Sequence, residues 1–145
     1  MNWQKVVMSF VLMVMAGCQD SSNPYDNEPV YSPVGVVITS GDSVIVQYRG
    51  SQQITGEFTA KTGSYSPRYS FRLIDVSGTY FTPQGDSYQL TGRAEDNALA
   101  EVWIAGFDFF IKGKKPGRTH VILKVLVGAS MLYTSQPIPT LITEY

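Results

Sequence analysis

The chain has 145 residues, a formal charge of −1, one cysteine and one histidine. That length suits one domain with a usable core. The near-neutral balance excludes a nucleic-acid binder working through bulk charge, and one histidine excludes a His-rich zinc site. Tyr, Phe, Gly and Thr are frequent and Ala-Leu-Glu-Lys runs nearly absent. This is the composition of an exported all-β domain.

In chain order, Lys5 precedes the apolar run Val6–Ala16, which closes on Gly17 and Cys18. A permanent membrane-spanning helix needs about 20 apolar residues, so the run is too short. A charged start, a short apolar core and small residues at its end predict a signal peptide over residues 1–17. Its last residues, Met15-Ala16-Gly17-Cys18, resemble the lipobox of bacterial lipoproteins. Met15 stands where that family prefers leucine. The resemblance implies that the Cys18 thiol takes a diacylglyceryl group, that the chain is cut before Cys18, and that the new amine is acylated. Two or three acyl chains, at about 0.8 kcal/mol per buried methylene, hold a protein to a membrane far more firmly than one. The mature chain then keeps no thiol and forms no disulfide. By the same family's sorting pattern, Gln19 in place of Asp after the cysteine favours the outer over the inner membrane.

Residues 18–33 read as a lipidated flexible tether, with Pro24, Pro29 and almost no apolar content. As a coil of roughly 15 residues it spans about 20 Å. Residues 34–145 form the folded domain. Short strands are expected at Val36–Thr39, Ser43–Tyr48, Ile54–Thr59, Tyr69–Val76, Thr79–Thr82, Tyr88–Thr91, Ala98–Ile104 and Phe107–Ile111. A helical turn is expected at Glu95–Ala98. In Thr119–Val127 the odd positions Val121, Leu123, Val125 and Val127 make one apolar face, with His120 and Lys124 on the other. Met131–Thr134 follows, and Pro137 and Pro139 predict an edge position for Leu141–Thr143. About seven to nine strands with turn signals between them imply an antiparallel β-sandwich.

The stretch Ala98-Leu99-Ala100-Glu101-Val102, then Ile111-Lys112-Gly113-Lys114-Lys115-Pro116-Gly117-Arg118-Thr119-His120-Val121-Ile122, is similar to the closing half of bacterial Ig-like domains of the group-2 type. The resemblance covers the last third of the chain. It implies an Ig-like topology and a non-enzymatic interaction or spacer module, with no catalytic residues to carry over. Read physically, Gly113 and Gly117 supply turn angles and Pro116 presets one.

Catalysis finds little support. A triad would have to use His120, which lies mid-strand, and no Gly-x-Ser-x-Gly elbow exists. The acidic residues show no calcium-loop spacing. No cofactor and no metal are expected. Binding candidates are Tyr65 and Tyr69, in a loop rich in Gly, Ser and Pro, and the basic turn with Lys114, Lys115 and Arg118. Trp103, Phe107, Phe109 and Phe110 are assigned mainly to the core. The expected function is a non-catalytic, lipid-anchored envelope module that binds another envelope protein. The alternatives are a glycan or peptidoglycan binder using a Tyr-rich face, and a small inhibitor or immunity lipoprotein using the loop Gly63–Arg68. An exposed aromatic strip on a flat face would favour glycan, and a rigid protruding loop the inhibitor. The expected partners are the membrane, through lipid on Cys18, and a protein, with no nucleic acid.

Overall fold

The computed structural model describes residues 31–145. The expected signal peptide, the lipobox-like segment with Cys18 and the expected tether as far as Val30 lie outside the described residues. The described chain is all-β, with eleven strands in two sheets and no helix. They are β1 Gly35–Ser40, β2 Ser43–Arg49, β3 Phe58–Lys61, β4 Tyr69–Ile74, β5 Tyr80–Phe81, β6 Tyr88–Ala94, β7 Ala100–Ala105, β8 Asp108–Gly113, β9 Gly117–Val127, β10 Ser130–Thr134 and β11 Ile138–Thr143. Each of the eleven overlaps a segment expected as a strand, so the total exceeds the expected seven to nine although no unforeseen strand appears.

One sheet runs β2-β1-β4-β8-β7, with β5 also on β4. The other runs β10-β9-β11-β3, with β6 on the free side of β9. Long β9 is shared along its length: Gly117–Val121 pairs with β11 and Lys124–Val127 with β10. The order β1-β4-β8-β7 facing β6-β9-β11 is the A-B-E-D and C-F-G arrangement of an Ig-like sandwich, with β3 added beyond the last strand.

Alternation builds the core between the sheets. Val121, Leu123 and Val125 of β9 are fully buried, as their parity predicts. They meet Phe71 and Leu73 of β4, Phe109 and Ile111 of β8, and Phe58 of β3 in one cluster. Between β6 and β7 the chain turns at residues 97–99, later than the expected Glu95–Ala98, with the Leu99 and Ala100 amides both donating to the Asp96 carbonyl, and β7 starts at Ala100 rather than Ala98.

Several expectations are corrected. The strand β11 is not at an edge. It pairs antiparallel with β9 from Ile138 and parallel with β3 from Thr140, so Pro139 falls where only one side is paired. Its partner β3 is too distant in sequence for a local signal to reveal. Val76 lies past the end of β4 and is exposed. Gly113 is not a turn glycine: a Cβ there would stand 2.4 Å from the Lys61 carbonyl oxygen, so its role is close approach of two backbones. Gly117, with φ at 152°, does hold a conformation that side chains disfavour. Trp103 is half exposed rather than core.

Register also fixes which end is which. The chain enters β1 beside Ile74, with Tyr31 stacked on Phe81 at 4.7 Å and edge-on to Tyr88. Gly113 and the basic turn lie at the opposite end of β8 and β4, beside Ser64 and Tyr65.

Candidate functional site

Tyr65 and Tyr69 part company. Tyr69 begins β4 with the same parity as Phe71 and Leu73, so its ring turns inward and is buried. It packs against Phe58 and Phe109 at 4.9 and 5.4 Å, and its hydroxyl donates to the Thr59 carbonyl at 3.2 Å. It is a core residue and is withdrawn as a contact candidate. Tyr65 lies four residues earlier and is 51 % exposed.

What surrounds Tyr65 comes from the outward faces of β7 and β8. In β7 the residues Ala100, Val102 and Ile104 turn toward the core, which leaves Glu101, Trp103 and Ala105 outside. In β8, Phe109 and Ile111 face in, and Phe110 and Lys112 face out. Cross-strand register sets Trp103 beside Phe110 and Glu101 beside Lys112. A bridge of the Tyr65 backbone to Lys112 then brings the Tyr65 ring edge-on to Trp103 at 6.0 Å. Lys112 Nζ stands 5.6 Å over that ring, a cation–π contact. Tyr65, Ser66, Trp103 and Phe110 line a shallow apolar depression of about 320 Å³.

Charges rim this shelf. Arg68 faces Asp108 at 3.7 Å, and Asp108 accepts from Ser70 Oγ at 2.7 Å. Lys114 reaches Glu101 at 3.8 Å and donates to the Asn97 carbonyl at 3.0 Å. The Ser66 hydroxyl is committed, accepting from the Ile111 amide and donating to the Pro67 carbonyl. The floor is therefore mainly apolar, and the Tyr65 hydroxyl and Trp103 indole N–H, on half-exposed side chains, are its remaining polar groups.

The basic turn does not act as one patch. Lys114 is held as described, and Arg118 pairs with Glu57 at 3.2 Å. Lys115 is exposed with no ion pair among the described residues. His120 Nδ1 lies 3.0 Å from Glu95 Oε2 in an exposed pair. No group of three or more metal-capable side chains occurs among the described residues.

At the entry end, the half-buried Tyr133 hydroxyl donates to that of Tyr48, which also accepts from the Gln136 amide. Burial raises the pKa of both phenols, and the bond to Tyr48 raises that of Tyr133 further. Asp75 has its pKa lowered by bonds from the Ser77 hydroxyl and the Thr79 amide, which form a turn rather than a site.

Sequence reasoning missed Trp103. The signal was present in the parity of its neighbours: with Ala100, Val102 and Ile104 inside, Glu101 and Trp103 must be outside.

No family model matches the chain, and no curated protein matches it. Among solved structures the chain is similar to domains 4 and 5 of the S-layer protein SbsC, at 15 % identity and a TM-score of 0.42, with 77 % of this chain covered and 66 %, just under two thirds, of that one.

Proposed function

We propose that the chain is a non-catalytic module, held at the outer membrane by lipid on Cys18, that binds another protein through the outward face of β7 and β8. The observation that carries the reading is the half-exposed Trp103–Tyr65 pair over Phe110, rimmed by charged side chains. Aromatic anchors with a polar surround are how protein interfaces concentrate their binding energy. The lipid anchor rests on Met15–Cys18 alone, and the outer membrane on Gln19.

A glycan is the second reading, because the rings sit on a flat sheet face. Sugar hydroxyls need several polar partners beside the stacking ring; the Ser66 hydroxyl is committed, which leaves the Tyr65 hydroxyl and the Trp103 indole N–H to serve them. The inhibitor reading has less support. Residues 63–66 are tied by backbone hydrogen bonds to Lys61, Ile111 and Gly113.

The test is capture of partners from solubilised membranes by the full chain and by Trp103→Ala with Tyr65→Ala. Loss of a partner by more than about 2 kcal/mol, with little change in melting temperature, is expected of hot spots. Unchanged capture sinks this surface. Retention on peptidoglycan or polysaccharide that the double variant abolishes would favour the glycan reading.

A further inference from the structure

Beside the aromatic shelf, β7 ends its sheet with a bare edge. The hairpin to β8 is closed by the two residues Gly106 and Phe107, so Ala105 and Asp108 form its hydrogen-bonded pair. By alternation Glu101 and Trp103 also bond to β8. The N–H and C=O of Val102 and Ile104 then point away from the sheet and meet no partner among the described residues. The other edges differ. On β2, Gln47 is covered by Thr55, and β10 is broken by a bulge between Met131 and Tyr133. Edge strand β6 contains Gly92 and Arg93. In β7 there is no proline, lysine or bulge to blunt the edge, and Glu101 is its one charge. Open clefts of about 820 and 400 Å³ lie between it and β6, the first lined by Glu101 and Val102 against Gly92 and Arg93, the second by Ile104 against Leu90.

We infer that this edge pairs with the same edge of a second copy, β7 against β7 in antiparallel register about Trp103. The inference rests on the reading of this face as a contact surface and names its partner. Complementarity selects the occupant. With the two-fold axis at Trp103, Val102 lies opposite Ile104 of the other copy, and each donates and accepts one backbone hydrogen bond. The unpaired N–H and C=O groups of Val102 and Ile104 are then satisfied. On the inner face the half-buried flanks of Val102 and Ile104 cover one another. On the outer face the two Trp103 rings meet across the axis, in the pair type where opposite Cα atoms approach to about 4.5 Å. Glu101 falls opposite Ala105, so no like charges oppose. A six-residue strand addition falls below the roughly 1,000 Å² of a permanent interface. The association is therefore weak and gains from high local concentration.

The experiment uses the full chain in mild detergent, made as two versions with tags of different size, one Glu101→Cys and one Ala105→Cys. Mixed and oxidised, they are expected to give a disulfide-linked mixed dimer. Either version alone gives none, because equal residues are about four positions, or roughly 13 Å, out of register. Chain without an added cysteine reports any contribution from Cys18. Ala105→Lys, which sets a cation opposite Glu101, should tighten the dimer by about threefold to tenfold, and adding Glu101→Lys should reverse that gain. A mixed band no stronger than the single-version bands, or a monomer at every concentration with the charge variants silent, overturns the inference. Cross-linking to a different protein instead would also overturn it while leaving the proposed contact surface standing. If the dimer forms but Trp103→Ala with Tyr65→Ala still captures every partner, the dimer survives and the wider reading fails.

Discussion

Two tyrosines four positions apart have opposite environments, and the difference is set by where β4 starts. Tyr69 sits inside the strand with its ring among Phe58 and Phe109, whereas Tyr65 stands before it with its ring against Trp103. Tyr69→Ala is expected to lower unfolding stability by about 3–5 kcal/mol, as removal of a buried aromatic does. Tyr65→Ala should cost about 0.5 kcal/mol or less. Denaturant midpoints at constant slope compare the two directly. The Tyr48–Tyr133 pair gives a second test at this scale. Both phenols have raised pKa values in the fold, so the folded state holds their protons more firmly than the unfolded one, where tyrosine titrates near 10. The stabilisation from this difference is full below about pH 10 and is lost as pH rises above it. Tyr133→Phe should flatten that alkaline slope, as read from melting temperatures at pH 9 to 11, roughly spanning the unfolded value.

Among the elements, β9 was the most legible in sequence and β11 among the least. The inward row Val121, Leu123, Val125 is buried as its alternation requires. Val125→Asp, which buries an unpaired carboxylate, should abolish cooperative unfolding, while Lys124→Asp shifts stability by about half a kcal/mol or less. Equal melting curves for the two would mean the register is wrong. The position of β11 was hidden because its second neighbour, β3, is joined through long-range parallel pairing. Trp103 was misplaced for a related reason: an aromatic in a strand reads as core until the faces are assigned. Gly113 was read as a turn residue because glycine between lysines before proline looks like one. Its actual constraint, the Lys61 backbone, lies far away in sequence. Gly113→Ala should therefore destabilise more than Gly92→Ala, whose added methyl would press on the Leu123 and Val102 side chains rather than on a backbone.

Across the whole molecule, the chain enters at the Tyr31 and Ile74 end, and the aromatic shelf and basic turn lie toward the other. A tether attached at Tyr31 would thus present Tyr65 and Lys115 away from its own membrane. Cys18→Ser tests the anchor itself: label from palmitate should disappear and an uncut precursor accumulate. Processing indistinguishable from the unaltered chain would remove the lipid from the account. The parallel joint between β11 and β3 has a further consequence, for timing. Phe58 pairs with Thr140 and Lys61 with Thr143, so the second sheet closes only when the last strand arrives. Such long-range closure is slow, of the order of milliseconds to seconds. The first sheet and the pairing of β6 with β9 do not use β11, so a chain still held at residues 138–143 would lack the β3 side of the second sheet alone.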